Sequence, residues 1–419
     1  FPIPGLKPGV LWEGGIKSHH YDFIMNTLIG IGFSQNIDIR SAAAEAVEEA
    51  RRQTRRRNID LMIVFSTIHY NPEEFLPIIR QLLPGTKIIG CSTAGVMTRK
   101  NIFLRGIAVL AVYSEDISFS CGYVNNINSM DMEQAGVQLA RNTVGTLGAH
   151  HRKAFLYFTD GLLHDHANIV HGLQAVLGNI FPIVGAGSSD DFDFKKTYQF
   201  FDDKIMINAA VGLLLGGKIN VGLGSRHGWK PLGKPRTIDK TNGNIIQLID
   251  GKAAACIYDE YFGAEAINLR TTRLGQMAIL YPLGIYLEGE REHLLRTAIL
   301  IQKDGSILCQ GVVPEGAEVH IMLSSKDACI QAAADAALAA QQSLGGKPAQ
   351  LVLIIESLAR HKLLGRAALK EIRAIREIFG EETPLLGMYS HGEIYPAQTI
   401  NDKSTIHLQN ESITVMAIG

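Results

Sequence analysis

"TKIIGCSTAG", residues 86–95, is an apolar run that stops at a glycine and opens into a small polar loop. The phrase returns as "FPIVGAGSSDD" at 181–191 and "TPLLGMYSHGE" at 383–393. What precedes it repeats as well. A polar helix pattern (41–57, 132–147, 326–344) leads to an apolar run: "IDLMIVFS" (59–66), "KAFLYFTDG" (153–161) or "AQLVLIIES" (349–357). A second helix pattern follows (71–83, 166–178, 365–379). Short runs rich in Val, Ile and Leu, bounded by Gly, Asn and Asp, signal strands; longer stretches rich in Ala, Glu and Arg signal helices. After each phrase come two runs suited to a β-hairpin: "GIAVLAVY" with "ISFSCGYV", "AAVGLLLGG" with "INVGLGS", and "STIHLQN" with "SITVMAIG". The unit is helix, strand, helix, strand, loop, hairpin, three times over at roughly 90 residues each.

That order predicts an α/β fold of repeated helix-strand-helix-strand-hairpin units, forming mixed sheets covered by helices. A strand–helix–strand step makes the two strands parallel, with a right-handed crossover. Ligands of open α/β sheets sit outside the carboxyl edge of such strands. The loops "CSTAG", "GSSDD" and "YSHGE" are therefore expected at that edge, beside "STIHYNPE" (66–73), "TDGLLHDH" (159–166) and "SLARHKLLG" (357–365). Residues 226–324 break the pattern. Their alternating runs and the turns "TNGN" and "KDGS" predict an antiparallel β connecting region. The expected division is an N-terminal extension (1–29), an α/β domain of two units (30–230), and a second domain holding the antiparallel region and the third unit (231–419).

The bulk composition narrows the function. An apolar fraction of 46% and a charged fraction of 19% suit a compact chain with no disordered signature. The formal net charge of −1 speaks against nucleic acid as the main partner, because counterion release needs clustered cations. The basic run "ARRQTRRRN" at 50–58 reads as a solvated helix end. "MINAAVGLLLGG" at 206–217 is too short for a bilayer span, so no membrane insertion is expected. No signal peptide opens the chain, although a first residue of Phe1 leaves a removed leader open. Cys91, Cys121, Cys256, Cys309 and Cys329 are widely spaced without a C-x-x-C pair, which fits a reducing, cytoplasmic setting.

The ordered motifs "IIGCSTAGVM" (88–97), "YFTDGL" (157–162), "FPIVGAGSSDD", "SRHGWKPLG" (225–233), "VPEGAEVHIM" (313–322), "LAR" (358–360) and "PLLGMYSHGEIYP" (384–396) resemble the FIST family, with its FIST-N and FIST-C domains. The resemblance covers about residues 30–415. It implies a non-catalytic sensory protein that binds a small polar ligand, such as an amino acid, and signals through a partner such as a kinase or cyclic-dinucleotide enzyme. Some members of similar architecture bind haem and sense nitric oxide, so haem is the alternative cofactor to none. At 419 residues the chain is expected to be free-standing. Ser357 stands where many members have a cysteine three residues before Arg360, which removes any thiol chemistry at that position.

Candidate ligand-binding residues follow from the loops. Cys91, Ser92 and Thr93 sit among glycines whose backbone N–H groups can form an anion-binding concavity; the bland alternative is a tight turn that satisfies itself. Ser188 and Ser189 supply the hydroxyls of the second loop. Asp160 is expected to line a pocket, and the neighbouring His164, Asp165, His166 and His171 leave metal ligation open against simple helix capping. Tyr389, Ser390, His391 and Glu393 offer an aromatic wall, a donor, a titratable ring and a carboxylate to grip an ammonium; equally, Glu393 is expected to bridge Arg360 as a structural pair. Arg226, His227 and Trp229 offer a closure over a ligand pocket; the preferred reading is a glycine-turned corner with Trp229 filling core. Asp190, Asp191 and Asp193 read as a solvated acidic turn rather than a calcium loop. No P-loop, dinucleotide fingerprint or G-x-S-x-G elbow appears, so no catalytic residues are expected. The second alternative, a cysteine-dependent enzyme, rests on Cys91 alone.

Overall fold

The computed structural model describes residues 26–145, 147, 151–163, 168–191, 193–266, 280–396 and 406–419. Its first unit runs β1 (Thr27–Ser34), α1 (Ile39–Thr54), β2 (Leu61–Thr67), α2 (Pro72–Leu82), β3 (Lys87–Thr93), β4 (Val96–Thr98), β5 (Ile102–Phe103) and β6 (Ile107–Ser114). The second repeats it with β7 (Ile117–Val124), α3 (Met132–Val144), β8 (Arg152–Asp160), α4 (Asn168–Leu177), β9 (Ile183–Ser188), β10 (Gln199–Phe201), β11 (Lys204–Met206) and β12 (Ala210–Gly217). The third opens with β13 (Val221–Arg226). After an insert at 230–323 it resumes with α5 (Lys326–Ser343), β14 (Leu351–Ser357), α6 (Leu358–Leu364), α7 (Ala368–Phe379), β15 (Leu385–Ser390), β16 (Glu393–Pro396), β17 (Ile406–Gln409) and β18 (Ile413–Ile418). Side-chain caps start the helices where the sequence places them. Asp38 accepts from Ser41 N–H, Asp131 from Gln134 N–H and Ser325 from Ala328 N–H, each satisfying an orphan donor of the first turn.

The strand order of each sheet shows how the units combine. The first sheet reads β1-β6-β2-β3-β10-β11, the second β7-β12-β8-β9-β16-β17, the third β13-β18-β14-β15-β4-β5. In every sheet the middle pair is parallel (β2/β3, β8/β9, β14/β15) and its other neighbours are antiparallel. Four strands come from one unit, and the last two are handed over by another: unit one completes sheet three, unit two completes sheet one, unit three completes sheet two. The arrangement is a cyclic exchange with pseudo-threefold order.

This exchange corrects the three expected hairpins. The runs are strands, but none pairs with its expected mate: β6 lies in the first sheet and β7 in the second, β12 in the second and β13 in the third, β17 in the second and β18 in the third. The short links change sheets instead of folding back. In the first, Ser114 Oγ accepts from Asp116 and Ile117 N–H, and the Asp116 carboxylate accepts from Asn26 N–H. Apolar patterning identifies a strand; it carries no information about which partner the strand takes. Among the described residues of 230–323 the strand pairs are antiparallel, as expected, and an α-helix lies at Cys256–Phe262.

The inner faces of the three sheets meet in one apolar core, with Leu61, Ile63 and Phe65 of β2, Leu156 and Phe158 of β8, and Leu351, Leu353 and Ile355 of β14. Every residue of β2 and β14 is buried, because helices cover the outer faces. Gly30 and Gly32 of β1 lie against the Ala50 and Ala46 carbonyls of α1; Gly222 and Gly224 of β13 lie in the same way against Ala340 and Ala336 of α5. The G-x-G strand and Ala-rich helix are thus one repeated contact, closer than any side chain permits.

Three seams remain, each where the first strand of one sheet approaches the strands handed to another. At β1, Gln53 accepts from Ile31 N–H and donates to its carbonyl, and Glu49 accepts from Phe33 N–H, while Phe33 stacks on Phe103 at 3.7 Å. At β7, Asn142 donates to the Tyr123 carbonyl and Tyr123 meets Phe201 at 4.8 Å. At β13, the Tyr395 hydroxyl lies 3.4 Å from the Leu223 carbonyl. Side chains thereby blunt edges that would otherwise template further pairing. The first two seams hold grooves of about 370 and 510 Å³. The third is roofed by the insert.

A Cβ on Gly32 would sit 1.7 Å from the Ala46 oxygen, whereas one on Gly145 meets nothing within 4 Å. Gly32→Ala is expected to cost about 3 kcal/mol in denaturant unfolding by forcing helix and strand apart. Gly145→Ala should stay within about 0.5 kcal/mol.

Candidate functional site

The three repeated loops do converge, because each carries the chain from one sheet to the next. Ser189 N–H donates to the Ser92 carbonyl at 3.1 Å, Tyr389 N–H to Gly95 at 3.0 Å, and His391 N–H to Gly187 at 3.0 Å, with Gly187 N–H returning to Gly392. Their hydroxyls complete this network. Ser92 Oγ–H donates to the Ser189 carbonyl and accepts from Tyr198 N–H. Ser189 Oγ–H donates to the Tyr389 carbonyl and accepts from Ala94 N–H. Thr93 Oγ1 lies 2.7 Å from the Gly95 and Tyr389 carbonyls and accepts from Tyr389 N–H. Ser188 Oγ–H donates to Thr159 and accepts from Gln199. Asp160 anchors a neighbouring turn, accepting from Thr197 Oγ1, Leu162 N–H and Asn208 N–H. The Ser92, Thr93, Asp160, Ser188 and Ser189 side chains are all buried.

Cys91 faces the common core, 3.7 Å from the Met388 sulfur, and burial pushes its thiol far up. A thiolate nucleophile is disfavoured there. The acidic turn is corrected at one position: Asp191 and Asp193 are exposed as expected, but Asp190 is 1% exposed, and its carboxylate lies 3.2 Å from His391 Nε2 while accepting from the Phe194 and Lys195 amides. Burial alone would raise this carboxyl, but the His391 contact and the amides hold it below its usual range. Phe194 stacks on the His391 ring at 4.5 Å. His164, Asp165 and His166 lie outside the described residues. Among the described residues no three His, Cys, Asp or Glu side chains are grouped to hold a metal.

Beside this joint lies a charge cluster that the sequence only half revealed. Arg360 is fully buried and pairs with Glu371 of α7; its Nε lies 3.4 Å from Glu356, and Nη1 and Nη2 donate to the His227 and Cys329 carbonyls at 2.6 and 2.9 Å. The expected Glu393–Arg360 bridge is absent. Arg360 stands in the first turn of α6 with its guanidinium against Glu371 of α7, and Glu393 instead accepts from Ser390 Oγ, Ser412 Oγ and Ser412 N–H. Glu411 accepts from Thr297 Oγ1 of the insert. Two buried carboxyls, Glu356 and Glu371, therefore meet one guanidinium, and Glu393 and Glu411 are buried nearby without a contact to it. Burial first, then Glu371, drives Glu356 well above its ordinary range; burial does the same to Glu411 and lifts Glu393 to about 7. Tyr389 turns its hydroxyl to His361 Nδ1 at 3.1 Å.

The roofed third seam gathers a second set of polar side chains. Ser225, Arg226 and His227 at the end of β13, Tyr395, Gln409 and Ser412 line a cleft of about 30 Å³, closed above by Glu290–His293. Gly228 (φ +86°) turns the corner, and Trp229 packs with Leu295, Met322 and Cys329 as core. His227 Nδ1 accepts from Trp229 N–H at 2.8 Å, so the proton sits on Nε2. That buried N–H makes no well-formed hydrogen bond: the His293 backbone lies close to it and Glu292 stands at 4.0 Å. Burial, with Arg360 and Arg226 adding to it and the His293 backbone opposing, lowers His227 to about 3 and keeps it neutral. Burial raises Glu292, with Arg226 opposing. Sequence reading found Arg226 and His227 but missed the roof. The charged run "EGEREH" (288–293) within an otherwise alternating region was the available signal.

Two family models match this chain: the FIST N domain over residues 60–252 and the FIST C domain over 254–396. Together they take in most of it, and the chain belongs to the FIST family, whose domains are sensory. The junction between the matches falls within the insert. An uncharacterized protein of Methanocaldococcus jannaschii is 23% identical over 220 residues, covering 50% of this chain and 42% of its own length. An uncharacterized protein of Mycobacterium tuberculosis is 23% identical over 382 residues, covering 88% and 94%. The chain thus spans less than half of the first relative and nearly all of the second. Among solved structures, cyanuric acid hydrolase from A. caulinodans aligns at a TM-score of 0.38 with 8% identity, over 94% of this chain and 99% of that one. That likeness is too loose to carry an argument. No described helix is long and apolar enough to cross a membrane.

Arg360→Met leaves carboxylates buried without their cation and is expected to cost about 3–5 kcal/mol in denaturant unfolding. A value under about 1 kcal/mol would show that the cluster is not held by this residue. In native protein Cys91 should resist thiol reagents until the chain unfolds, as read by mass spectrometry.

Proposed function

We propose that this chain is a small-ligand sensor whose binding site is the roofed cleft between β13, the turn before β18 and the insert. The observation that carries the reading is the buried His227 Nε2–H, which makes no well-formed hydrogen bond, in a polar cleft that also holds Arg226 and Glu292. A buried donor without an acceptor costs roughly 1–3 kcal/mol, which a ligand carboxylate would recover. The guanidinium of Arg226 beside it supplies charge-assisted hydrogen bonding. Glu292 stands opposite to receive an ammonium. The chemistry fits a small amino acid or related acid.

At about 30 Å³ the closed cleft admits water-sized groups and no macrocycle. A ligand enters when Glu290–His293 lift, so occupancy is coupled to the position of the insert. A shift of that roof is how binding would reach a signalling partner such as a kinase or cyclic-dinucleotide enzyme, since a ligand acts by favouring one of two arrangements. The haem reading draws no support from this cleft. The converged loops serve as the rigid frame behind it.

A thermal-shift screen of amino acids and small carboxylic acids tests the reading. A ligand at about 100 times its Kd should stabilise the protein by roughly 2.7 kcal/mol, and Arg226→Ala should abolish that response without lowering the ligand-free Tm by more than a few degrees. A response that survives Arg226→Ala places the site elsewhere.

A further inference from the structure

The seat of the roof rests on a buried carboxyl that ligand binding does not itself use. Glu393 opens β16 and is 0% exposed. Its oxygens hold Ser390 and, through both hydroxyl and amide, Ser412. Ser412 lines the cleft and ends the turn Asn410–Ser412, which is where the insert docks. Thr297 N–H donates to Asn410, Thr297 Oγ1 to Glu411, and Arg296 donates to the Leu408 carbonyl. A single carboxyl therefore ties the core to the joint that positions the roof.

The titratable groups around Glu393 are mostly carboxyls. Glu356 of β14 and Glu411 of the turn are buried with it, and Arg360 of α6, the cation that acts on it, is engaged by Glu371 of α7. Its strand neighbours offer no charge: Ala186 stands opposite on β9 and Gln409 on β17. A protonated Glu393 loses no contact, because the serine hydroxyls both donate and accept. An ionised one sits dry with no cation bonded to it, and opening the turn to water relieves it. We infer that ionisation of Glu393 unlocks the Asn410–Ser412 turn and so loosens the roof of the cleft, making the site proton-linked. The regulatory consequence rests on the cleft being the ligand site; the linkage itself does not.

The direction is fixed by which state holds the proton. In water a glutamate titrates near ~4.3. In the closed joint it titrates at about 7. The closed state's advantage is whole below the first value, falls as pH climbs between the two, and is gone above the second. In ligand-free protein, amide exchange at Thr297 and Ser412, corrected for intrinsic rates, should speed up by roughly tens-fold between about pH 5 and 7 and then level. Glu393→Gln should remove most of that slope. Protection that stays constant over the same range, or a Glu393→Gln variant whose slope tracks the wild type, overturns the inference. If the variant does not fold, the carboxyl ¹³C titration of Glu393 in the wild type decides: a midpoint near 7 is expected, and one in the ordinary glutamate range refutes it. Because no ligand is present, these outcomes are independent of whether the cleft binds an amino acid.

Discussion

The structure depends on the hand-over of strands between units. No unit owns a finished sheet: β3, β9 and β15 each meet a strand that another unit supplies. The exit loops must then cross at one place, away from water, where every backbone N–H and C=O needs a partner. Ser92, Thr93 and Ser189 meet that need. Small hydroxyl residues recur in the repeated phrase because the crossing demands short side chains that both donate and accept. The phrase is a structural joint first.

That constraint moves function outward to the seams. Three seams are related by the pseudo-threefold order, and two are closed off in similar ways, by polar side chains from the covering helix and an aromatic pair. The third breaks the pattern. On α5 the positions along the packed face are alanines, and the insert reaches over the seam instead, docking through Arg296 and Thr297 onto the turn before β18. Polar burial accumulates at this break: His227, Glu393, Glu411 and the Arg360 cluster all lie around it, with Glu292 half-buried above. A purely structural solution would fill such a place with hydrocarbon, since buried ion clusters rarely add net stability. Their presence next to a cleft is why the proposed ligand is placed at the seam and not on the pseudo-axis.

Much of the fold was legible because helices and buried parallel strands leave strong patterns. "IDLMIVFS", "KAFLYFTDG" and "AQLVLIIES" became β2, β8 and β14, and the helix patterns became α1 to α5 and α7 within a few residues. Strand partners were not legible. The link after β6 looks like a hairpin turn, yet its carboxylates and hydroxyls bond to the chain before β1 and to the start of β7. Charges were harder still. "GSSDD" looks solvated until folding brings His391 from two hundred positions away to Asp190, a contact that no local pattern encodes. The cleft was half visible: "SRHGW" announced a corner, but only the fold brings Glu292 across from the insert.

The central claim, that the three sheets are one exchanged structure, is tested most directly by native-state hydrogen exchange in rising denaturant, read at Val64, Phe158 and Ile355, one buried strand position in each sheet. Because each sheet lacks two strands without its neighbours, the three amides should open together, with one free energy and one denaturant dependence. Three separate opening steps, each confined to a single unit, would contradict the account.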